Sequence, residues 1–176
     1  MTLNIGTKAP DFKSLDQDGN EVSLSSLNGK KIVLYFYPRD MTPGCTAEAC
    51  NLRDNYRALQ KAGYVVLGVS TDTEKSHKKF VEKEKLPFRL LADTHKTIHE
   101  KYGAWIEKSM YGRKYMGTAR VTYLINEQGM ISEVIEKVDT RDHARQILGG
   151  ATVTPEKKVV NKIAKKPAAS KVKKKK

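Results

Sequence analysis

Residues 32–50 read IVLYFYPRDMTPGCTAEAC. The run at 32–37 is short, β-branched and aromatic, so it predicts a buried central strand. Pro38 and Pro43 bracket the segment that follows, which therefore cannot be regular structure. The stretch thus predicts a buried strand that leads into a proline-bracketed loop just before Cys45.

The residues after this loop complete a βαβ unit. Apolar side chains at helical spacing predict a helix over 46–62 that ends at Gly63. A second buried strand is predicted for 64–69. Because a helix separates the two strands, we expect them to pair in parallel through a right-handed crossover.

The chain up to residue 150 adds an antiparallel half. The sequence NEQG at 126–129 is a hairpin signal between two apolar runs, and Thr140 is predicted to cap a last helix. The predicted fold class is therefore α/β, a thioredoxin-like three-layer sandwich with a central mixed β-sheet, in one domain at 1–150. The other predicted elements are strands at 22–24, 88–91, 121–125 and 131–138 and helices near 73–85 and 95–102.

Composition excludes several classes of protein. The 176 residues are 39% hydrophobic and 30% charged, enough for one domain with its own core. No apolar run approaches the roughly 18 residues of a membrane-spanning helix. Two cysteines are too few for a disulfide-rich scaffold, and the N-terminus lacks the pattern of a secretory signal. We therefore expect a cytoplasmic protein without a membrane span.

The net charge of +13 is concentrated at the C-terminus. Val153 to Lys176 holds ten lysines and one acid, a net charge of +9, which leaves +4 for residues 1–152. Residues 151–176 are therefore predicted to be a disordered, lysine-rich tail. The tail is either a solubilising extension or, through Lys157–Lys176, a non-specific binder of nucleic acid or another polyanion. In a nucleated cell the same lysines would serve as a nuclear localisation signal.

Cys45 carries the strongest chemical signal. It is predicted at the start of a helix, where unpaired N–H groups and the helix dipole favour the thiolate, the attacking form of cysteine. The same N–H groups can hold an oxygen or an anion above the sulfur. The alternative is a merely structural role as a small buried side chain.

Cys50 follows in the same predicted helix, where ideal geometry separates the two Cα atoms by roughly 8–9 Å. A disulfide needs Cα atoms within about 7 Å, so the two sulfurs can join only if the first turn or two unwinds. Packing as a small apolar residue is the alternative for Cys50. A metal site is disfavoured because Cys-x4-Cys has no nearby histidine, and the absence of Cys-x-x-Cys argues against a dithiol reductase.

The loop resembles the active site of the peroxiredoxins. Residues 38–45, PRDMTPGC, match their Pro-x-x-x-Thr-x-x-Cys signature. Residues 42–50, TPGCTAEAC, are similar to the peroxiredoxin Q branch, also called bacterioferritin comigratory protein. The resemblance extends from about Gly6 to Leu148, nearly all of the predicted domain.

This resemblance implies a thiol peroxidase that reduces hydrogen peroxide and organic hydroperoxides and needs no cofactor. Cys45 is then the peroxidatic cysteine, which becomes a sulfenic acid, and Cys50 is the resolving cysteine that joins it in an intramolecular disulfide. Thioredoxin is the implied reductant, and a monomer the implied state. Thr42 would bond the peroxide oxygens through its hydroxyl, and Pro38 would shield the thiolate from water.

The resemblance also implies an arginine that holds the thiolate and stabilises the leaving oxygen. Family pattern selects Arg120, at the start of a predicted strand, whereas Arg39 and Arg53 are candidates from the sequence alone because both lie near Cys45. Glu48 either orients an arginine or is an ordinary acid in the first helical turn, where the dipole favours it.

The histidines are assigned no role. His95 and His99 lie four apart on a predicted helix, but the glutamate of a metalloprotease helix is missing between them, so both are predicted to be surface residues. His77 and His143 lie among polar neighbours and are likewise given no function.

Overall fold

The computed structural model describes residues 2–149, so the predicted tail at 151–176, with Lys157–Lys176, lies outside the described residues. Within this range the chain forms nine strands, five α-helices and a short 3-10 helix at Ser25–Leu27. In chain order they are β1 (Lys13–Leu15), β2 (Glu21–Ser23), β3 (Lys31–Phe36), α1 (Pro43–Asp54), α2 (Tyr56–Lys61), β4 (Tyr64–Ser70), α3 (Glu74–Glu84), β5 (Arg89–Ala92), α4 (Thr97–Lys101), β6 (Trp105–Met110), β7 (Arg113–Thr118), β8 (Val121–Ile125), β9 (Ile131–Ile135) and α5 (His143–Ile147).

The centre of the molecule is a mixed sheet of five strands in the order β5-β4-β3-β8-β9. The strands β3, β4 and β5 run parallel, as a βαβ connection requires, and β8 pairs antiparallel with β3 and with β9. The predicted mixed sheet and its parallel pairing are therefore confirmed.

Side chains alternate across β3 and divide the core between the two faces of the sheet. Leu34 and Phe36 join the cluster on one face, whereas Val33 and Tyr35 join the cluster on the other. Cys45 belongs to the second cluster, so α1 covers that face. Helices on both faces make the three layers that the sequence predicts.

The helix predicted over 46–62 is in fact two helices. The first, α1, begins at Pro43, because proline at an initial position needs no N–H partner and its φ already suits a helix. The interruption falls at Asn55, whose φ of −107° and ψ of 12° are not helical. Its side-chain amide donates to the carbonyl of Asn51 at 2.8 Å, a local bond that competes with the backbone ladder.

The last helix, α5, starts later than predicted, and Thr140 does not cap it. Asp142 occupies the N-cap position and makes no side-chain cap bond. Instead, Asn51 of α1 accepts from the N–H of Ala144 at 2.8 Å and donates to the carbonyl of Arg141 at 2.8 Å. One side chain of α1 thus pairs with an N–H in the first turn of α5 and with a carbonyl just before it.

A separate antiparallel hairpin, β6 with β7, was not predicted. It ends at Thr118, and Arg120 occupies the short connection between this hairpin and β8. Among residues 2–149, no helix has both the length and the apolar character to cross a membrane.

Candidate active site

Cys45 lies in the first turn of α1 and is 2% exposed. The preceding residues hold the turn, since the carbonyl of Thr42 accepts from the N–H of Thr46 at 2.8 Å. The Thr42 hydroxyl donates to the carbonyl of Arg39 at 3.0 Å and makes no cap bond to α1. Pro38 is partly buried two residues after β3. Cys45 therefore lies at a helix N-terminus, three residues after a threonine whose hydroxyl oxygen can still accept a hydrogen bond.

Arg120 reaches Cys45 from the loop between β7 and β8. Its Nη2 atom lies 3.3 Å from the Cys45 sulfur, and its Nη1 donates to Oε2 of Glu48. Burial lowers the pKa of Arg120, but the adjacent Glu48 carboxylate and Cys45 together raise it above its usual value. A permanent positive charge is thus held between two groups that can be negative.

The other two candidate arginines lie elsewhere. Arg39 is exposed. Arg53 donates to Asp54 and to the main-chain carbonyl of Glu84, at 2.9 and 2.6 Å. Of the three, Arg120 is the one for which the structure records a contact with the Cys45 sulfur.

Glu48 is completely buried one turn after Cys45. One carboxylate oxygen contacts Arg120, and the other lies 3.1 Å from Nδ1 of His143, at an angle that does not make a hydrogen bond. The remaining ring nitrogen of His143 lies 3.0 Å from the hydroxyl of Thr122. Glu48 is therefore a buried carboxyl group between a guanidinium and an imidazole, and these contacts are more than an ordinary first-turn acid at a helix N-terminus would need.

The loop before α1 is fixed to the body of the protein by Asp40. This buried carboxylate accepts from the hydroxyls of Tyr37 and Ser76, both at 2.7 Å, and lies 2.9 Å from Nδ1 of His77. The next residue, Met41, has a φ of 57°, a conformation that costs free energy outside glycine. The contacts of Asp40 hold that turn in place.

Cys50 lies away from this cluster. Its thiol donates to Oε2 of Glu84 at 3.4 Å, at the C-terminal end of α3. Burial raises the pKa of Cys50, and the neighbouring Glu84 raises it further, while Arg53 acts in the opposite direction. Both cysteines are free thiols, and α1 is unbroken between them.

Sequence reasoning missed the contribution of the histidines. His99 was predicted on the surface and His77 and His143 without a role, yet all three have no exposed area, whereas His95 is exposed as predicted. His99 is wrong as a surface residue because Asp93 and Thr118 close over it, at 2.7 and 3.1 Å from its ring nitrogens. Local sequence gives no signal for most of these contacts, since His77 pairs with Asp40, His99 with Thr118 and His143 with Thr122 across 19 to 37 residues, whereas Asp93 lies six residues before His99.

Other parts of the described chain offer no competing centre. A surface cavity of about 640 Å³ lies between the loops at 24–30 and 125–129. Neither cysteine lines it, and neither do Arg120, Glu48 or the buried histidines. Among residues 2–149, no three histidine, cysteine, aspartate or glutamate side chains are placed to hold a metal ion. The chemistry therefore concentrates at Cys45.

A nearly buried cysteine at a helix N-terminus, contacted by an arginine, on a mixed sheet with helices on both faces, defines a cysteine-dependent enzyme of thioredoxin-like fold. The AhpC/TSA family model matches residues 5–134. A relative from Coxiella burnetii is 48% identical over 149 residues, which are 85% of this chain and 99% of that protein. Peroxiredoxin Bcp of Bacillus subtilis is 45% identical over 148 residues, 84% of this chain and 94% of that protein.

Solved structures agree with these relatives. The bacterioferritin comigratory protein of Xanthomonas campestris, studied in trapped intermediate and ligand complexes for its alkyl peroxide reduction activity, superposes with a TM-score of 0.77. It is 31% identical, and the match covers 83% of this chain and 96% of that one. The chain belongs to the AhpC/TSA family and is a peroxiredoxin, a thiol peroxidase.

Proposed function

We propose that the protein reduces hydrogen peroxide and organic hydroperoxides through Cys45 and Cys50. The observation that carries the proposal is the Arg120 guanidinium 3.3 Å from the Cys45 sulfur at the start of α1. A positive charge and a helix N-terminus together favour the thiolate. The alkyl peroxide activity studied in the Xanthomonas campestris relative supports the inclusion of organic substrates.

In the first step the Cys45 thiolate attacks one peroxide oxygen and the O–O bond breaks. The sulfur keeps that oxygen as a sulfenic acid, and the other oxygen leaves as water or an alcohol after taking a proton. Arg120 stabilises the negative charge that develops on the leaving oxygen, as a preorganised donor does. The Thr42 hydroxyl bonds the peroxide, and Pro38 keeps water from the thiolate.

In the second step Cys50 attacks the sulfenic sulfur. A disulfide forms and the sulfenic oxygen leaves as water, so atoms and electrons balance. Because α1 runs unbroken through both cysteines, its first turns must unwind before the sulfurs meet. A dithiol reductant then restores both thiols, and thioredoxin fits this chemistry.

Intact mass tests this proposal. The reduced protein treated with one equivalent of hydrogen peroxide is expected to lose two hydrogens, whereas Cys50→Ser is expected to gain a single oxygen at Cys45. Cys45→Ser is the matched control and should remain unchanged. If the wild type stays reduced over minutes, the peroxidase proposal is wrong.

The surroundings of the reaction follow from the same chemistry. The cycle requires free thiols and a thiol reductant, which supports a reducing compartment such as the cytoplasm. We propose a monomer, the state that the resemblance to the peroxiredoxin Q branch implies.

The lysines of Lys157–Lys176 support a second, non-specific function: attachment to nucleic acid or another polyanion. The segment 157–176 contains no arginine or aromatic residue, so it is not expected to read base edges or to stack on bases. The full chain should retard DNA in a gel and lose this effect steeply with added salt. A variant that ends at residue 150 should not retard DNA, and a salt-insensitive or absent shift of the full chain contradicts the proposal.

A further inference from the structure

His143 begins α5 and is fully buried beside Glu48, the carboxyl group that contacts Arg120. One ring nitrogen, Nε2, lies 3.0 Å from the Thr122 hydroxyl, and the other, Nδ1, lies 3.1 Å from Oε1 of Glu48. Neither Nδ1 nor that oxygen has an aligned hydrogen-bond partner among residues 2–149. A buried imidazole therefore faces the same carboxylate that Arg120 contacts from the other side.

The chemistry of the three groups fixes where the proton lies. An ionised carboxylate only accepts hydrogen bonds, so Nδ1 of His143 must carry the hydrogen for a favourable contact with Glu48. In the neutral ring Nε2 is then an acceptor, and the Thr122 hydroxyl donates to it. Because Thr122 is buried in β8, it holds the ring from the side opposite the carboxylate.

The balance of buried charges explains why an Nδ1–H of His143 would be favourable beside Glu48. When Cys45 and Glu48 are both ionised, Arg120 neutralises only one of two buried negative charges, and a buried charge without a partner is costly. The groups recorded against the His143 ring are Glu48 of α1, the Thr122 hydroxyl of β8 and the ring of Tyr35 in β3. Arg120 contacts the other oxygen of Glu48, and Asp142 and Arg145 of the histidine's own helix pair with each other.

We propose that His143 is a positioning residue of the peroxidase site. It donates Nδ1–H to Glu48, which keeps this carboxylate directed at Arg120, and Arg120 in turn stays on the Cys45 sulfur. The contact is unaligned in the reduced protein and tightens as negative charge develops, as hydrogen bonds at active sites commonly do. This inference rests on the roles proposed above for Cys45 and Arg120.

Two amide substitutions distinguish the contributions of the two ring nitrogens of His143. In His143→Asn the amide nitrogen takes the place of Nδ1 and still faces Glu48. In His143→Gln it takes the place of Nε2 and reaches only Thr122. All variants carry Cys50→Ser, so that Cys45 alone reacts, and each is assayed for alkylation by iodoacetamide across pH, for single-turnover oxidation by hydrogen peroxide and for its free energy of unfolding.

We expect His143→Asn to oxidise within about threefold of the parent and His143→Gln to lose about tenfold or more, the effect of one hydrogen bond to a buried charge. The alkylation profile of His143→Gln should move to higher pH, and that of His143→Asn should not. Equal rates and profiles in the two variants, or losses that follow stability alone, would overturn the proposal. If His143→Gln does not fold, Thr122→Val is measured in its place. Its rate of oxidation by hydrogen peroxide should fall about threefold, and an unchanged rate would overturn the proposal.

A double-mutant cycle with Glu48→Gln tests the route of the effect. If His143 acts through Glu48, His143→Gln should cost less than about twofold in that background. A full additive loss shows that His143 acts otherwise and overturns the proposal. Alkylation reports the Cys45 thiolate without any peroxide step, so failure of the peroxidase proposal and failure of this one give different results.

Discussion

Replacing Asn51 with alanine is expected to speed the joining of Cys45 and Cys50. The Asn51 side chain ties α1 to α5 through two hydrogen bonds of 2.8 Å, to the Arg141 carbonyl and the Ala144 N–H. Both bonds must break when the adjacent Cys50 leaves the helix. At a net value of about 0.5–1 kcal/mol each, about 1–2 kcal/mol together, their loss makes unwinding about 5- to 30-fold more frequent.

A competition between two products measures this rate. Once Cys45 is a sulfenic acid, either Cys50 joins it or a second peroxide converts it to a sulfinic acid. Intact mass separates the outcomes, since the disulfide lacks two hydrogens and the sulfinic acid carries two added oxygens. The peroxide concentration that gives equal amounts of both products should rise in Asn51→Ala by the same factor, about 5 to 30.

Gln146→Ala is the matched control. The Gln146 side chain also bridges a carbonyl and an N–H, those of Lys137 and Asp139, at 2.9 and 2.8 Å, but both partners precede α5 rather than belong to α1. The Gln146→Ala variant should lose a similar free energy of unfolding, about 1–2 kcal/mol, and should leave the ratio of disulfide to sulfinic acid unchanged. If both variants shift the ratio equally, or neither does, unwinding of α1 does not limit disulfide formation.

Three further predictions concern buried polar groups. Tyr35→Phe removes a buried hydroxyl that has no hydrogen-bond partner among residues 2–149, so urea denaturation should show a gain of about 1 kcal/mol in unfolding free energy, and a loss would reveal a partner. Glu84→Gln removes one cause of the raised pKa of Cys50, so in a Cys45→Ser background Cys50 should be alkylated faster at neutral pH. An unchanged alkylation rate would assign the raised pKa to burial alone. Burial raises the pKa of Asp93, but its hydrogen bonds from His99 lower it below 3.8 overall, so its stabilisation is present above about pH 4 and is lost on further acidification. Asp93→Asn should therefore unfold about 1–3 kcal/mol more easily near neutrality and converge with the wild type in acid, and a constant difference across pH would contradict this.

The centre of the fold could be predicted because local residues determine it. The β-branched and aromatic run before Pro38 has few alternatives to a buried strand, and Pro43 with Gly44 suits the start of a helix. The break at Asn55 and the hairpin at 105–118 could not be predicted in the same way. The first depends on a side-chain bond to Asn51, and the strands of the second are largely exposed and lack an apolar stripe.

In the candidate site, too, the residues of a local motif could be predicted from the sequence, whereas those that depend on contacts in the folded protein could not. Cys45, Cys50 and Thr42 are close in sequence, so one motif contains all three, although Cys50 contacts Glu84 rather than the groups around Cys45. Arg120 required the family pattern, and His143 had no signal, because its contacts with Glu48 and Thr122 join three segments that meet only in the folded protein.

The attachment of Asp40 to α3 has a consequence for the duration of the catalytic cycle. The loop that begins at Pro38 is anchored outside α1, so the unwinding of α1 leaves Asp40 and its partners where they are. A helix of this length, 12 residues, forms in about a microsecond or less. After each reduction the cysteine therefore returns to a loop that Asp40 holds in place, and the refolding of α1 adds only about a microsecond or less to the cycle.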